Sequence, residues 1–174
     1  MALFRPTALA PETWTPEGTI VSQRYRALEG ATVLAYTADT DRGTAYYAAA
    51  CLGCVYREDR NSSQNPMSET EASEAANDHA SACRAMPRGV PARPDDTEAA
   101  RVIRTRLWRR RRTHSRPDSV HISDFNIDRV DLQRPTDWIK EQLAVLAASE
   151  PEFLTATSAS SGTRFTVQPF PART

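Results

Sequence analysis

Cys51-Leu52-Gly53-Cys54, followed further along the chain by His79-Ala80-Ser81-Ala82-Cys83, is the stretch on which the fold turns. All three cysteines of this 174-residue chain lie in that window, with one of its three histidines. Three thiols and one imidazole fill the tetrahedral shell of a structural zinc ion and leave no position open for a reacting water. His79 and Cys83 are four residues apart, so a helix places them one turn from each other on one face. Cys51 and Cys54 sit in a turn, where backbone N–H groups can aim at the sulfurs and favour the thiolate.

The flanking sequence supplies the elements that would carry these ligands. Ser68-Glu69-Thr70-Glu71 fits a capping box and opens a helix. Glu69, Glu71 and Glu74 suit the positive end of its dipole, Arg84 suits the negative end, and Pro87 stops it. Ala72, Ala76, His79, Ala80 and Cys83 recur at the helical period and form an inward stripe. Alanine packs closely but buries little area, so this face needs a further anchor, and a metal ion supplies one. Before the helix, 44–50 reads as a strand and Val55-Tyr56-Arg57 as its return, with Leu52-Gly53 a tight connection in which Gly53 is able to take positive φ at low steric cost.

Hairpin, loop and helix, with ligands on the turn and the helix, resemble the ββα zinc-finger class of Cys2HisCys type over about residues 44–86. The resemblance implies Cys51, Cys54, His79 and Cys83 as ligands to a structural Zn2+. The chain departs from a compact finger in that 24 residues separate Cys54 from His79. Two other interpretations stand beside it. One is a redox CxxC, although the βαβ context of such a motif is missing. The other is three unconnected cysteines in an alanine-rich chain.

A second informative segment is basic. Residues 95–117 carry 8 basic and 3 acidic side chains, against 9 and 11 in 1–94 and 5 and 8 in 118–174. Asp95 and Glu98 suit a helix start, and Ala99, Ala100, Ile103 and Leu107 share one arc. Arg101, Arg104, Arg109, Arg111 and Arg112 fall opposite, with Trp108 on their side, and the helix is expected to fray after Leu107. Clustered guanidinium groups and an aromatic are what phosphate binding and base stacking require. The partner is therefore expected to be nucleic acid, bound through Arg101, Arg104, Trp108, Arg109, Arg111 and Arg112. Docking on an acidic protein or on the chain's own acidic flanks is the alternative.

Elsewhere, 19–26 and 31–37 read as strands joined at Glu29-Gly30, with Trp14 as a lid on their sheet. Ser119–Phe125 suggests another strand, Pro135 opens a helix through about Ser149, and Gly162 turns a hairpin between 153–157 and 163–167. The expected class is α+β: a small antiparallel meander with a zinc-clamped hairpin and helix, a basic helix, and a C-terminal β-α-β-β piece. The expected divisions are 1–86, a linker 87–94, the basic helix 95–117, 118–168, and a tail 169–174. No G-x-S-x-G or glycine-rich phosphate loop is present, so no catalytic residue is assigned. His114 and His121 with Asp118 and Asp124 could be drawn as a second metal cluster. The odd cysteine count and the lack of a signal-peptide core or long apolar run point to a cytoplasmic protein without a membrane span.

Overall fold

The structure, a computed structural model, describes residues 11–39, 45–60, 65–111, 116–160 and 162–171. It is α+β. An antiparallel sheet takes β1 (Thr19–Arg26), β2 (Thr32–Ala38), β3 (Tyr47–Cys51) and β4 (Arg57–Glu58) in sequential order. After it come α1 (Glu69–Ala82), α2 (Asp96–Arg110), β5 (Asp118–Val120), a 3-10 segment Ile122–Asp128, α3 (Arg129–Leu132) and α4 (Thr136–Ser149). The hairpin of β6 (Leu154–Ala159) and β7 (Gly162–Val167) closes a second sheet ordered β5-β7-β6.

β2 is buried along its whole length, and its period-two alternation serves two cores. Val33 and Ala35 face α1 together with Ala49 and Cys51 of β3, while Leu34 and Tyr36 face Trp14, Ala48, Ala50, Leu52 and Val130. Trp14 is thus the lid expected from its position. The alternation also aims Cys51 at α1, which is the first requirement for a shared metal site. Alanines on both sides let helix and sheet approach closely: Ala72, Ala76 and Ala80 of α1 meet Ala35 and Ala49.

The remaining elements enclose a core of larger side chains. Ile103 and Leu107 of α2, Ile139 and Leu143 of α4, Phe125, Leu132, Phe153, Leu154 and Phe165 are buried together. Ile122–Phe125 is 3-10 helix where a strand was expected, because Asp124 Oδ2 accepts from the His121 N–H at 2.8 Å and its own N–H returns to the His121 carbonyl. That turn carries Phe125 into the core.

Polar contacts join the regions. The buried Tyr36 hydroxyl donates to the Asn126 carbonyl at 2.9 Å. Arg129 and Arg134 are both buried. Arg129 donates to the Arg134 carbonyl and Thr136 Oγ1, and burial lowers its pKa to about 10. Arg134 donates to Asp96 at the head of α2 and to the Pro94 carbonyl, and Gln133 donates to the carbonyls of Pro91 and Ala92. The 87–94 connection is therefore tied down at its C-terminal end. Among the described residues, no helix is long and apolar enough to cross a membrane.

Candidate metal centre

Four elements bring the ligands together. β3 ends on Cys51, the following turn presents Cys54, the last turn of α1 presents His79, and the chain leaving α1 presents Cys83. The helix starts as expected, with Ser68 Oγ accepting from the Glu71 N–H and Glu71 Oε2 accepting from the Ser68 N–H. It ends one residue before Cys83, whose backbone is extended (φ −78°, ψ 125°), four residues ahead of Pro87. The Cys83 N–H still donates to the His79 carbonyl at 2.9 Å, which preserves the one-turn relation between the two ligands.

The ligand atoms of Cys51, Cys54, His79 and Cys83 all lie within 4.8 Å of one another. With Zn–S near 2.3 Å, a tetrahedral shell separates its sulfurs by about 3.8 Å and a sulfur from a nitrogen by about 3.5 Å. Cys54 Sγ and His79 Nε2 are 3.4 Å apart, already at that spacing. Each sulfur also accepts a backbone amide: Gly53 N–H on Cys51 at 3.3 Å, Tyr56 N–H on Cys54 at 3.5 Å, and Ala85 N–H on Cys83 at 3.4 Å. Amides aimed at sulfur stabilise thiolates. Donor set, spacing and amide pattern fit a metal ion.

At Cys51 the turn amide does not by itself favour the thiolate as expected, because burial outweighs it. Burial pushes the Cys51 thiol up to about 11, with the Gly53 amide opposing the shift. A thiol so placed ionises readily only when a cation replaces its proton. Burial lowers the His79 pKa, which leaves the imidazole neutral at pH 7 with a lone pair to offer.

Tyr56 and Arg57, read from the sequence only as part of a return strand, shape the site together with Gly53. Tyr56 stacks on the His79 ring with centroids 3.8 Å apart and planes 8° from parallel, and its hydroxyl donates to Glu58 at 2.6 Å. Arg57 Nη1 donates to the carbonyls of Cys51 and Tyr56 at 2.8 Å each, while its other nitrogens grip Asp131 at 2.8 and 3.2 Å. One guanidinium thus holds the turn in shape and ties it to α3. Gly53 does not adopt positive φ. It is required because a Cβ there would lie 2.5 Å from Ala31 Cβ and 2.8 Å from both Ala85 Cβ and the Met86 carbonyl oxygen. The return strand is also later than expected, since β4 covers only Arg57–Glu58 and the Tyr56 carbonyl accepts from Cys51 N–H.

The basic helix runs to Arg110 rather than fraying at Leu107. Carboxylates from the following segments meet its arginines. Arg104 makes a bidentate pair with Glu150 at 2.9 Å, Arg106 makes one with Asp128 at 2.7 and 2.8 Å, and Arg110 binds both Asp118 and Asp124. Arg111, just past the helix, donates to the carbonyls of Gln168 and Pro169. Trp108 packs on Phe153 and Phe170 between the guanidinium groups of Arg104 and Arg111, leaving it 42% exposed. Arg101 makes only a 3.6 Å pair with Glu98, and Arg109 is exposed with no partner among the described residues. Arg112 and His114 lie outside the described residues. Asp118 and Asp124 are occupied by Arg110, and the Cys51–Cys83 group is the only metal-competent cluster among the described residues.

No family model, curated protein or solved structure matches this chain.

Proposed function

We propose that the protein is a structural-zinc module in which Cys51, Cys54, His79 and Cys83 hold one Zn2+ that clamps α1 to the sheet, and that it works by binding another macromolecule. The observation that carries this is the convergence of four ligand atoms within 4.8 Å, each sulfur already accepting an amide. When bound, the ion supplies a cross-link and neutralises thiolates, and four protein ligands leave it no open position for catalysis. Metal analysis of protein purified without added zinc, beside Cys54→Ser, tests the claim. Metal should be present in the first and lost in the second, with α1 unfolding.

Two binding modes remain from the basic segment. Intramolecular docking of α2 is supported by the pairs that Arg104, Arg106 and Arg110 make with carboxylates of the same chain. Nucleic-acid binding is supported by the exposed Arg101 and Arg109, whose guanidinium groups could meet phosphate without breaking a strong pair. Fluorescence anisotropy with a random duplex at low and moderate salt separates the two. Binding that falls steeply with salt and is lost in Arg101→Glu/Arg109→Glu upholds the nucleic-acid mode, and no binding at low salt ends it.

A further inference from the structure

We infer that the metal-held end of the first sheet is a docking surface for an acidic protein segment that carries aliphatic anchors. This inference rests on the zinc clamp proposed above. Three loops meet at that end: the β1–β2 turn, the Cys51–Cys54 turn and the chain leaving α1. Their contact is direct. The Leu28 N–H donates to the Cys83 carbonyl at 3.0 Å, and Gly53 sits against Ala31, Ala85 and Met86. The Pro87 ring lies beside Gly30.

Each loop turns one large apolar side chain to solvent. Val55 is 92% exposed, Met86 72% and Leu28 59%, three of the six exposed large apolar side chains among the described residues. Exposed apolar groups scattered singly need no explanation, but these three stand on loops that touch one another. A groove of about 380 Å³ opens at Val55, lined also by Leu52, Arg88, Gly89 and Pro91 and by Asp131, whose carboxylate is paired with Arg57 at 2.8 Å. That space admits an aliphatic side chain.

The charge around these loops selects the partner. Arg26 at the end of β1 and Arg84 and Arg88 on the chain leaving α1 are exposed, and none pairs with a carboxylate among the described residues. Glu29 is the one acid in these loops. This is the reverse of α2, whose arginines are largely consumed within the fold. Unpaired guanidinium groups around aliphatic side chains complement a segment with carboxylates around Leu- or Val-type anchors. Phosphate backbone would satisfy the arginines but leave Val55, Met86 and Leu28 without partners, and no aromatic stands exposed there to stack on a base.

The test uses the full chain as purified and two fluorescein-labelled helical peptides. One sets leucines at i, i+3, i+4 and i+7 among aspartate and glutamate, and the other replaces every acid by lysine. The acidic peptide should bind saturably and the lysine peptide should not. Arg84→Glu/Arg88→Glu and, separately, Val55→Ser/Met86→Ser should each weaken binding by roughly tenfold or more. Arg101→Glu/Arg109→Glu should leave it unchanged. Equal binding of both peptides, binding of neither, or sensitivity to the α2 reversals alone would overturn the inference. So would a random DNA duplex that displaces the peptide, or self-association through this face that excludes it. Metal content and circular dichroism of each sample keep the two proposals apart. A zinc-loaded protein that ignores the peptide refutes the docking surface alone, whereas a folded, metal-free protein that binds it refutes the clamp.

Discussion

Two of the three cores of this molecule, the one beneath α1 and the one beneath α2 and α4, are built from different materials. Beneath α1, seven of ten buried core residues are alanine, with Val33, Cys51 and Met67 completing the set. Beneath α2 and α4, only Ala99 of twelve is alanine, and the rest are Val, Leu, Ile and Phe. Burial of a Leu or Phe side chain stabilises by about 1.5–3 kcal/mol, whereas an alanine methyl contributes nearer 0.8 kcal/mol. The alanine core permits close approach but holds weakly, and the ligands cluster at its end. Among the described residues the larger core has no such cluster, and it is fastened by area and by arginine–carboxylate pairs. The cluster that could hold a metal stands where hydrophobic area is thin.

Breaking the comparison at its strongest point means removing a ligand. Cys54→Ser should abolish zinc binding and unfold β3 and α1, since binding free energies of about 10–16 kcal/mol at structural sites are largely folding free energy. Circular dichroism with metal analysis reads both effects. Next comes Phe125→Ala in the other core, expected to cost about 3–5 kcal/mol in chemical denaturation with metal content unchanged. Arg57→Met should leave the protein folded but weaken zinc affinity roughly 10–100-fold in a chelator competition, because the turn loses the donor that holds its carbonyls. Gly53→Ala should cost about 1–3 kcal/mol, since Ala31, Ala85 and the Met86 carbonyl must all give way.

The smallest effect sharpens the electrostatic side. Arg104 donates to Glu150 and holds its carboxyl below the usual range. A depressed folded pKa contributes stability above the unfolded value of about 4.3, and that stability is lost as pH falls through the folded value. Glu150→Gln should therefore flatten the acid limb of the stability–pH curve slightly, by no more than about 1 kcal/mol for so exposed a pair.

The ligand set was legible because its residues are few, chemically distinctive and spaced by helical and turn geometry. The α1 cap, the Trp14 lid and the Gly162 hairpin were legible for the same local reasons. Arg57 was not, because its role depends on Asp131, which lies 74 residues away. Local pattern showed Gly53 only as a residue able to take positive φ, whereas the structure needs it for close packing against two distant loops. The basic helix was legible as an element but not in its pairing. Its arginines look free in sequence because Asp118, Asp124, Asp128 and Glu150 all lie beyond the helix and reach it only through the fold. The same blindness hid Arg129 and Arg134, two arginines buried among carbonyls.

Hydrogen exchange on the full chain before and after zinc chelation tests the central claim most directly, with metal content measured on the same sample. The clamp predicts about one zinc per chain, and after its removal a loss of protection in β3 and α1 while α4 and the β6–β7 hairpin stay protected. A chain purified without zinc that protects α1 fully, or one whose α1 protection survives removal of its metal, would contradict it.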